Sequence, residues 1–141
     1  LYLVLPYGEM MDDGSFVRNE HHLENFTNKI IDNDIEYAYA TYWYSGVPTI
    51  FSNEKLKMRG ISISSEGLII PNLLGSSKNW YNPVYYQGQS CIFLLPHEYN
   101  KIDSRLMKSF LGEPSMKKII NSFRVDCYNF NIANKLPNWK L

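Results

Sequence analysis

The sequence predicts an α/β fold: a single-domain layered structure with a mostly parallel or mixed sheet of about four to five strands flanked by helices. Three observations carry that expectation. A length of 141 residues fits one domain, and a 45% hydrophobic content is enough to fill a core. Segments of helical and strand periodicity then alternate along most of the chain.

The first element is the run "NEHHLENFTNKIIDN", which places Leu23, Phe26, Ile30 and Ile31 on one helical stripe. Asn19 is its expected N-cap, with Glu20 in the first turn. After "DND", the alternation of Ile35, Tyr37 and Tyr39 predicts a first strand over Ile35 to Thr41. Pro48 then suits the start of a short helix, "VPTIFSN", and "KLKMRGISIS" alternates as a second strand.

The stretch "EGLIIPNLLGSSKNWYNPVYYQGQ" reads as one short strand followed by a long surface excursion, because Gly, Pro and Asn punctuate it. "SCIFLLP" is a buried strand closed by Pro96. Asp103 is placed to cap a helix over "SRLMKSFL", with Leu106, Met107, Phe110 and Leu111 on one face and Gly112 ending it. "FRVDCYNFNI" supplies the last strand. The expected organisation is a loose N-terminal segment (1–18), the α/β domain (19–135) and a C-terminal tail (136–141).

Composition removes several classes of partner. Fourteen basic residues balance fourteen acidic ones, so no net field draws the chain to nucleic acid or to an anionic membrane. No apolar run approaches the length of a membrane span. The chain opens on Leu1, and "LYLVLPYGEMMDDGS" lacks the basic start and long apolar stretch of a secretory leader, so it reads as a piece of something longer. Cys91 and Cys127 both sit in apolar, strand-like runs, which favours buried thiols over a disulfide framework.

Catalytic and metal-binding patterns are lacking. His21 and His22 are adjacent, so on a helix they diverge and do not chelate one ion as histidines four apart can; His97 stands far from both in the chain. Asp12 and Asp13 read as a turn rather than an acid/base pair. No nucleophile elbow, phosphate loop or CxxC pair occurs, and the apolar context of Cys91 argues against a reactive thiolate. No catalytic residue, metal site or cofactor is therefore expected.

What remains is aromatic. Tyr37, Tyr39, Tyr42, Trp43 and Tyr44 form one cluster, and Trp80, Tyr81, Tyr85 and Tyr86 a second. Core packing accounts for many such rings, since each buries a large area and needs one polar partner. Rings on an excursion that no fold requires are also recognition elements. The two readings stand side by side, and the candidate binding residues are Tyr42, Trp43, Trp80, Tyr81, Tyr85 and Tyr86.

The order of the pieces "YAYATYW" (Tyr37 to Trp43), "TIFSN" (Thr49 to Asn53), "NWYNPVYYQGQSCIFLL" (Asn79 to Leu95) and "DCYNFNIA" (Asp126 to Ala133) resembles a known pattern. It is similar to the soluble C-terminal part of bacterial polytopic membrane glycosyltransferases of the dolichyl-phosphate-mannose-dependent, protein O-mannosyltransferase-like class. The likeness runs from about Ile30 to Ala133, and Glu36 stands where that pattern usually has Gly. The resemblance implies an extracytoplasmic domain that follows a bundle of membrane helices, with the catalytic carboxylate elsewhere in the parent protein. It further implies a glycan or lipid-linked sugar as ligand, and the parent's own transmembrane helices as neighbours. The alternative is a structural or interaction module without a ligand; a free-standing enzyme is the least favoured reading.

Overall fold

The computed structural model describes residues 15–41, 55–72, 81 and 86–139, with side chains from residue 24 onward. It has a mixed sheet in the order β3-β2-β1-β4-β6-β5. The strands are β1 (Tyr37–Thr41), β2 (Lys57–Ile63), β3 (Ile69–Pro71), β4 (Ser90–Leu94), β5 (Met116–Ile120) and β6 (Phe123–Tyr128). The three central strands β2, β1 and β4 run parallel, while β3 and the β5–β6 pair are antiparallel to their neighbours. The α/β class expected from the alternation of periods is thus the observed one, with six strands.

Helix α1 (Ser15–Asp32) covers one face of the sheet. The strands meet it with alternate residues: Ala38 and Ala40 of β1, Phe93 of β4, and Phe123 and Val125 of β6. Two alanines at the sheet centre leave room for the large rings of the helix. Phe26 stacks on Phe123 at 5.1 Å between centroids and meets Phe93 edge-on at 6.1 Å. The stripe read from the sequence is the buried one, with Phe26 and Ile30 inside and Ile31 packed beside them. The start differs: α1 begins at Ser15, so Asn19 lies within the helix and does not cap it.

The opposite face carries Tyr37 and Tyr39 of β1, Ile61 of β2, Ile92 and Leu94 of β4 and Tyr128 of β6. It is covered by Tyr81, by helix α3 (Ser104–Leu111) and by the C-terminal segment. The one-turn helix α2 (Pro96–Tyr99) leads from β4 towards α3, with the Glu98 carboxylate accepting from the Leu95 N–H at 2.9 Å. Helix α3 has the bounds and caps its sequence predicts: Asp103 accepts from Leu106 N at 3.0 Å, and Gly112 ends it with φ 74°. Met107 and Leu111 are buried, but Phe110 is one of the exposed large apolar residues.

Three expectations are corrected. Strand β5 was not foreseen: "MKKII" carries two lysines, yet it pairs along β6 through a two-residue turn. That turn is Asn121-Ser122, at φ 48° and 73°, the left-handed pair that a tight hairpin needs. Cys91 and Cys127 are buried as expected, but they are bonded to each other and are not free thiols. They face one another across β4 and β6 on the α1 side of the sheet. Finally, the C-terminal residues 136–139 are not a loose tail. Leu136 and Trp139 are buried, and the Trp139 indole N–H donates to the Ile69 carbonyl at 3.0 Å.

Candidate functional site

The aromatic candidates separate into two groups. Tyr42, Trp43, Trp80 and Tyr85 lie outside the described residues. Tyr81 and Tyr86 are placed, and neither ring forms an open rim. Tyr81 is fully buried against Trp139, with its hydroxyl shared between the carbonyls of Gly60 at 2.6 Å and Asn72 at 2.8 Å. Its ring and its polar tip are both used inside the protein, so the binding role expected for it is replaced by a core role. Tyr86 is half-buried, stacks on Tyr37 at 4.4 Å, and donates to the Gln89 carbonyl at 2.8 Å. Burial, followed by the Glu36 and Tyr37 charges, raises its pKa above the usual phenol value.

The tyrosines of β1 point the same way. Tyr39 is fully buried and donates to Asn131 Oδ1 at 2.6 Å. Burial raises its pKa well above the ordinary phenol value, so the hydroxyl stays protonated and acts as a fixed donor. Asn131 also accepts from Ala133 N at 3.2 Å and donates to the Tyr86 carbonyl at 2.7 Å. Ser90 anchors the same segment, donating to Phe130 O at 2.8 Å and accepting from Ile132 N at 3.1 Å. Among the described residues, Tyr39 and Tyr86 therefore hold the protein's own C-terminal segment, through Asn131 and, for Tyr39, through the Trp139 ring.

A cleft opens elsewhere on this face, between α3 and the β4–β6 ladder, with a volume of about 130 Å³. Its lining includes Ile92 and Leu94 of β4, Asp126 and Tyr128 of β6, and Met107 of α3. Asp126 sits directly between Ile92 and Lys117 across three adjacent strands. Loss of solvent raises the pKa of its carboxyl, a trend opposed by Arg124 and Lys117 and reinforced by Glu113. The Tyr128 phenol is pushed up by burial and then by Asp126, which places the two groups within each other's field.

At the cleft's edge, Lys108 pairs with Glu113 at 3.1 Å, with both side chains mostly in water. This pairing holds the Glu113 carboxyl below its ordinary value. Arg124 lies over the Tyr99 ring at 3.6 Å from the centroid, so that guanidinium is occupied as a cation–π partner. The lining thus mixes Asp126, Tyr128 and Lys117 with the apolar Ile92, Leu94 and Met107.

Asp126, Tyr128 and Lys117 were not singled out from the sequence. Asp126 is the acidic residue within the apolar strand "FRVDCY", but period-two alternation puts it in phase with Arg124, as on a solvated strand face. The covering helix that turns this face into a cleft is distant in sequence.

Among the described residues no group of His, Cys, Asp or Glu could hold a metal ion. His97 is exposed, and His21 and His22 lie on α1 outside the described side chains. Among the described residues no helix is long and apolar enough to cross a membrane. No family model, curated protein or solved structure matches the chain.

Proposed function

We propose that the chain is a non-catalytic extracytoplasmic domain of a membrane-bound, glycosyltransferase-like protein, which helps position a lipid-linked sugar donor or a glycan acceptor. The observation that carries this reading is the Cys91–Cys127 disulfide, buried across the two strands β4 and β6. Structural disulfides persist in oxidising compartments and are rare where thiol reductants prevail, so the bond supports an extracytoplasmic setting. A non-catalytic role is what the resemblance implies, since it puts the catalytic carboxylate elsewhere in the parent protein.

A second reading, a structural or interaction module without a ligand, draws support from Tyr39 and Tyr81, whose rings and hydroxyls are consumed inside the fold. The two readings share the compartment and differ in the ligand.

Reporter fusions to the C-terminus of the full gene product test the compartment. Alkaline phosphatase should be active there and a cytoplasmic fluorescent reporter dark; the reverse pattern would remove both readings. Maleimide-polymer gel shifts on the native protein, with and without reductant, should show both cysteines blocked until the bond is reduced. Binding of sugars by the chain then separates the first reading from the second.

A further inference from the structure

The Cys91–Cys127 bond lies in the layer between α1 and the sheet, and both residues are 0% exposed. Within the sheet, Ala38 of β1 flanks Cys91 and Met116 of β5 flanks Cys127. On the helix side, Phe26 and Ile30 of α1 close the same apolar cluster. A disulfide opens when an external thiolate attacks one of its sulfurs, so access to that sulfur sets the rate along with the chemistry of the thiol. With α1 docked, neither sulfur offers that access. Exchange therefore needs an opening of the fold.

Two openings can provide it. Global unfolding exposes everything at once. Lifting α1 alone uncovers the bond and leaves the sheet standing, because the opposite face has its own core, with Tyr39, Ile61, Ile92, Leu94 and Trp139. The strand ladders are also untouched, since α1 takes no part in them. Side chains hold the helix in place, with Phe26 packed on Phe93 and Phe123 and polar tethers at its C-terminal turn. Lys29 of α1 donates to Asn121 Oδ1 at 2.7 Å, and Lys118 of β5 donates to Asn33 Oδ1 at 2.6 Å. Both tethers reach the β5–β6 hairpin, whose second strand carries Cys127. An element held by side-chain packing and surface bonds opens at lower cost than the centre of a sheet.

We propose that α1 is the gate of the disulfide: exchange with external thiols proceeds through a state in which α1 is lifted and the sheet is intact. In that state the thiolate of an external dithiol such as dithiothreitol attacks one cysteine sulfur, and the other cysteine leaves as a thiolate and takes a proton. The second sulfur of the dithiol then closes on the first and releases the remaining cysteine. The chain gains two electrons and two protons, and the dithiol becomes a cyclic disulfide. Oxidation is the reverse, with an external disulfide as the oxidant. A partner that holds α1 against the sheet shields the bond, and one that draws α1 away exposes it. This gate acts in any compartment and does not rest on the function proposed above.

The experiment follows reduction of the oxidised 141-residue chain by excess dithiothreitol, with released thiols counted by maleimide-polymer gel shift. In buffer the bond should open at least about 100-fold more slowly than in the urea-unfolded chain. Asn33→Ala removes the acceptor for Lys118 and the donor to the Lys29 carbonyl, and should speed reduction about tenfold. Phe26→Leu should speed it by about the same factor. Tyr39→Phe discriminates between the two openings, because the Tyr39 hydroxyl serves the opposite face. If α1 lifts alone, this variant should be reduced at the parent's rate; if the whole fold must open, its rate should rise about fivefold. Low urea gives a second reading on the parent itself, whose log rate should climb with a slope well below the equilibrium m-value of unfolding.

Fivefold acceleration in Tyr39→Phe, or a urea slope equal to the full m-value, would assign exchange to global unfolding and overturn the gate. So would parent-like rates in both Asn33→Ala and Phe26→Leu, or a parent bond reduced as fast as that of the unfolded chain. The urea slope needs no substitution, so it decides the matter even where a variant does not fold.

Discussion

Removing Asn131 should be among the most costly single changes in the protein, although it is a polar residue in a loop-like segment. Its side chain is fully buried and makes three hydrogen bonds, to the Tyr39 hydroxyl, the Ala133 N–H and the Tyr86 carbonyl. In Asn131→Ala the fully buried Tyr39 hydroxyl loses its acceptor, which costs about 1–3 kcal/mol, and each of the other two bonds contributes about 0.5–1.5 kcal/mol. Together these give a loss of about 2–6 kcal/mol. Tyr39→Phe removes the hydroxyl itself and should cost only about 1 kcal/mol. In the double variant no hydroxyl is stranded, so the combined loss should fall short of the sum by about 1–2 kcal/mol. Urea denaturation of the oxidised protein reads this directly: with an m-value of about 2 kcal/mol/M, Asn131→Ala should lower the midpoint by about 2 M. A midpoint within about 0.5 M of the parent, or strictly additive losses in the cycle, would refute the network as an anchor for the C-terminal segment.

Other expectations follow from single features. Replacing both cysteines by Ala opens a loop of sequence separation 36, which by chain entropy should cost about 4 kcal/mol, measured by thermal or urea melts. Gly67 and Gly112 both have positive φ, but a Cβ on Gly67 would lie 2.5 Å from Asp103 N, whereas one on Gly112 meets nothing within 4 Å. Gly67→Ala should therefore cost more than about 2 kcal/mol and Gly112→Ala about 1 kcal/mol, and equal losses would count against the Gly67–Asp103 contact as the cause. The folded-state pKa of Asp126 is raised, so its charged form opposes folding at pH values above that pKa, and the penalty fades as pH falls through the folded pKa towards the ordinary aspartate value. Asp126→Asn should accordingly raise the melting temperature at neutral pH and lose that advantage in acid; a lower melting temperature at neutral pH would show that the carboxylate is satisfied within the fold.

Much of the architecture was legible because it is written in short-range chemistry. Asp103 and Gly112 bound α3 through a cap and a left-handed turn, each settled within a few residues. The run "CIFL" is apolar at every position because β4 lies between β1 and β6 and is covered on both faces. Phe26 and Ile30 announce the buried side of α1 by their spacing alone. The failures lie at longer range. The "INSF" hairpin turn was a local signal available for β5, but the paired lysines of an edge strand hide its alternation.

The sequence by itself determined the α/β class, the main helices and central strands, and the burial of both cysteines, because periodicity and capping are properties of neighbouring residues. Tertiary structure alone decided that Cys91 faces Cys127, since that depends on strand order and register, and a one-residue slip would turn the two side chains to opposite faces. It also decided that Trp139 closes the core through a bond to Ile69, 70 residues away. The same holds for Asp126: alternation puts it on a face, but only α3, folding back over β4 and β6, turns that face from open solvent into a cleft in which a carboxylate loses part of its water.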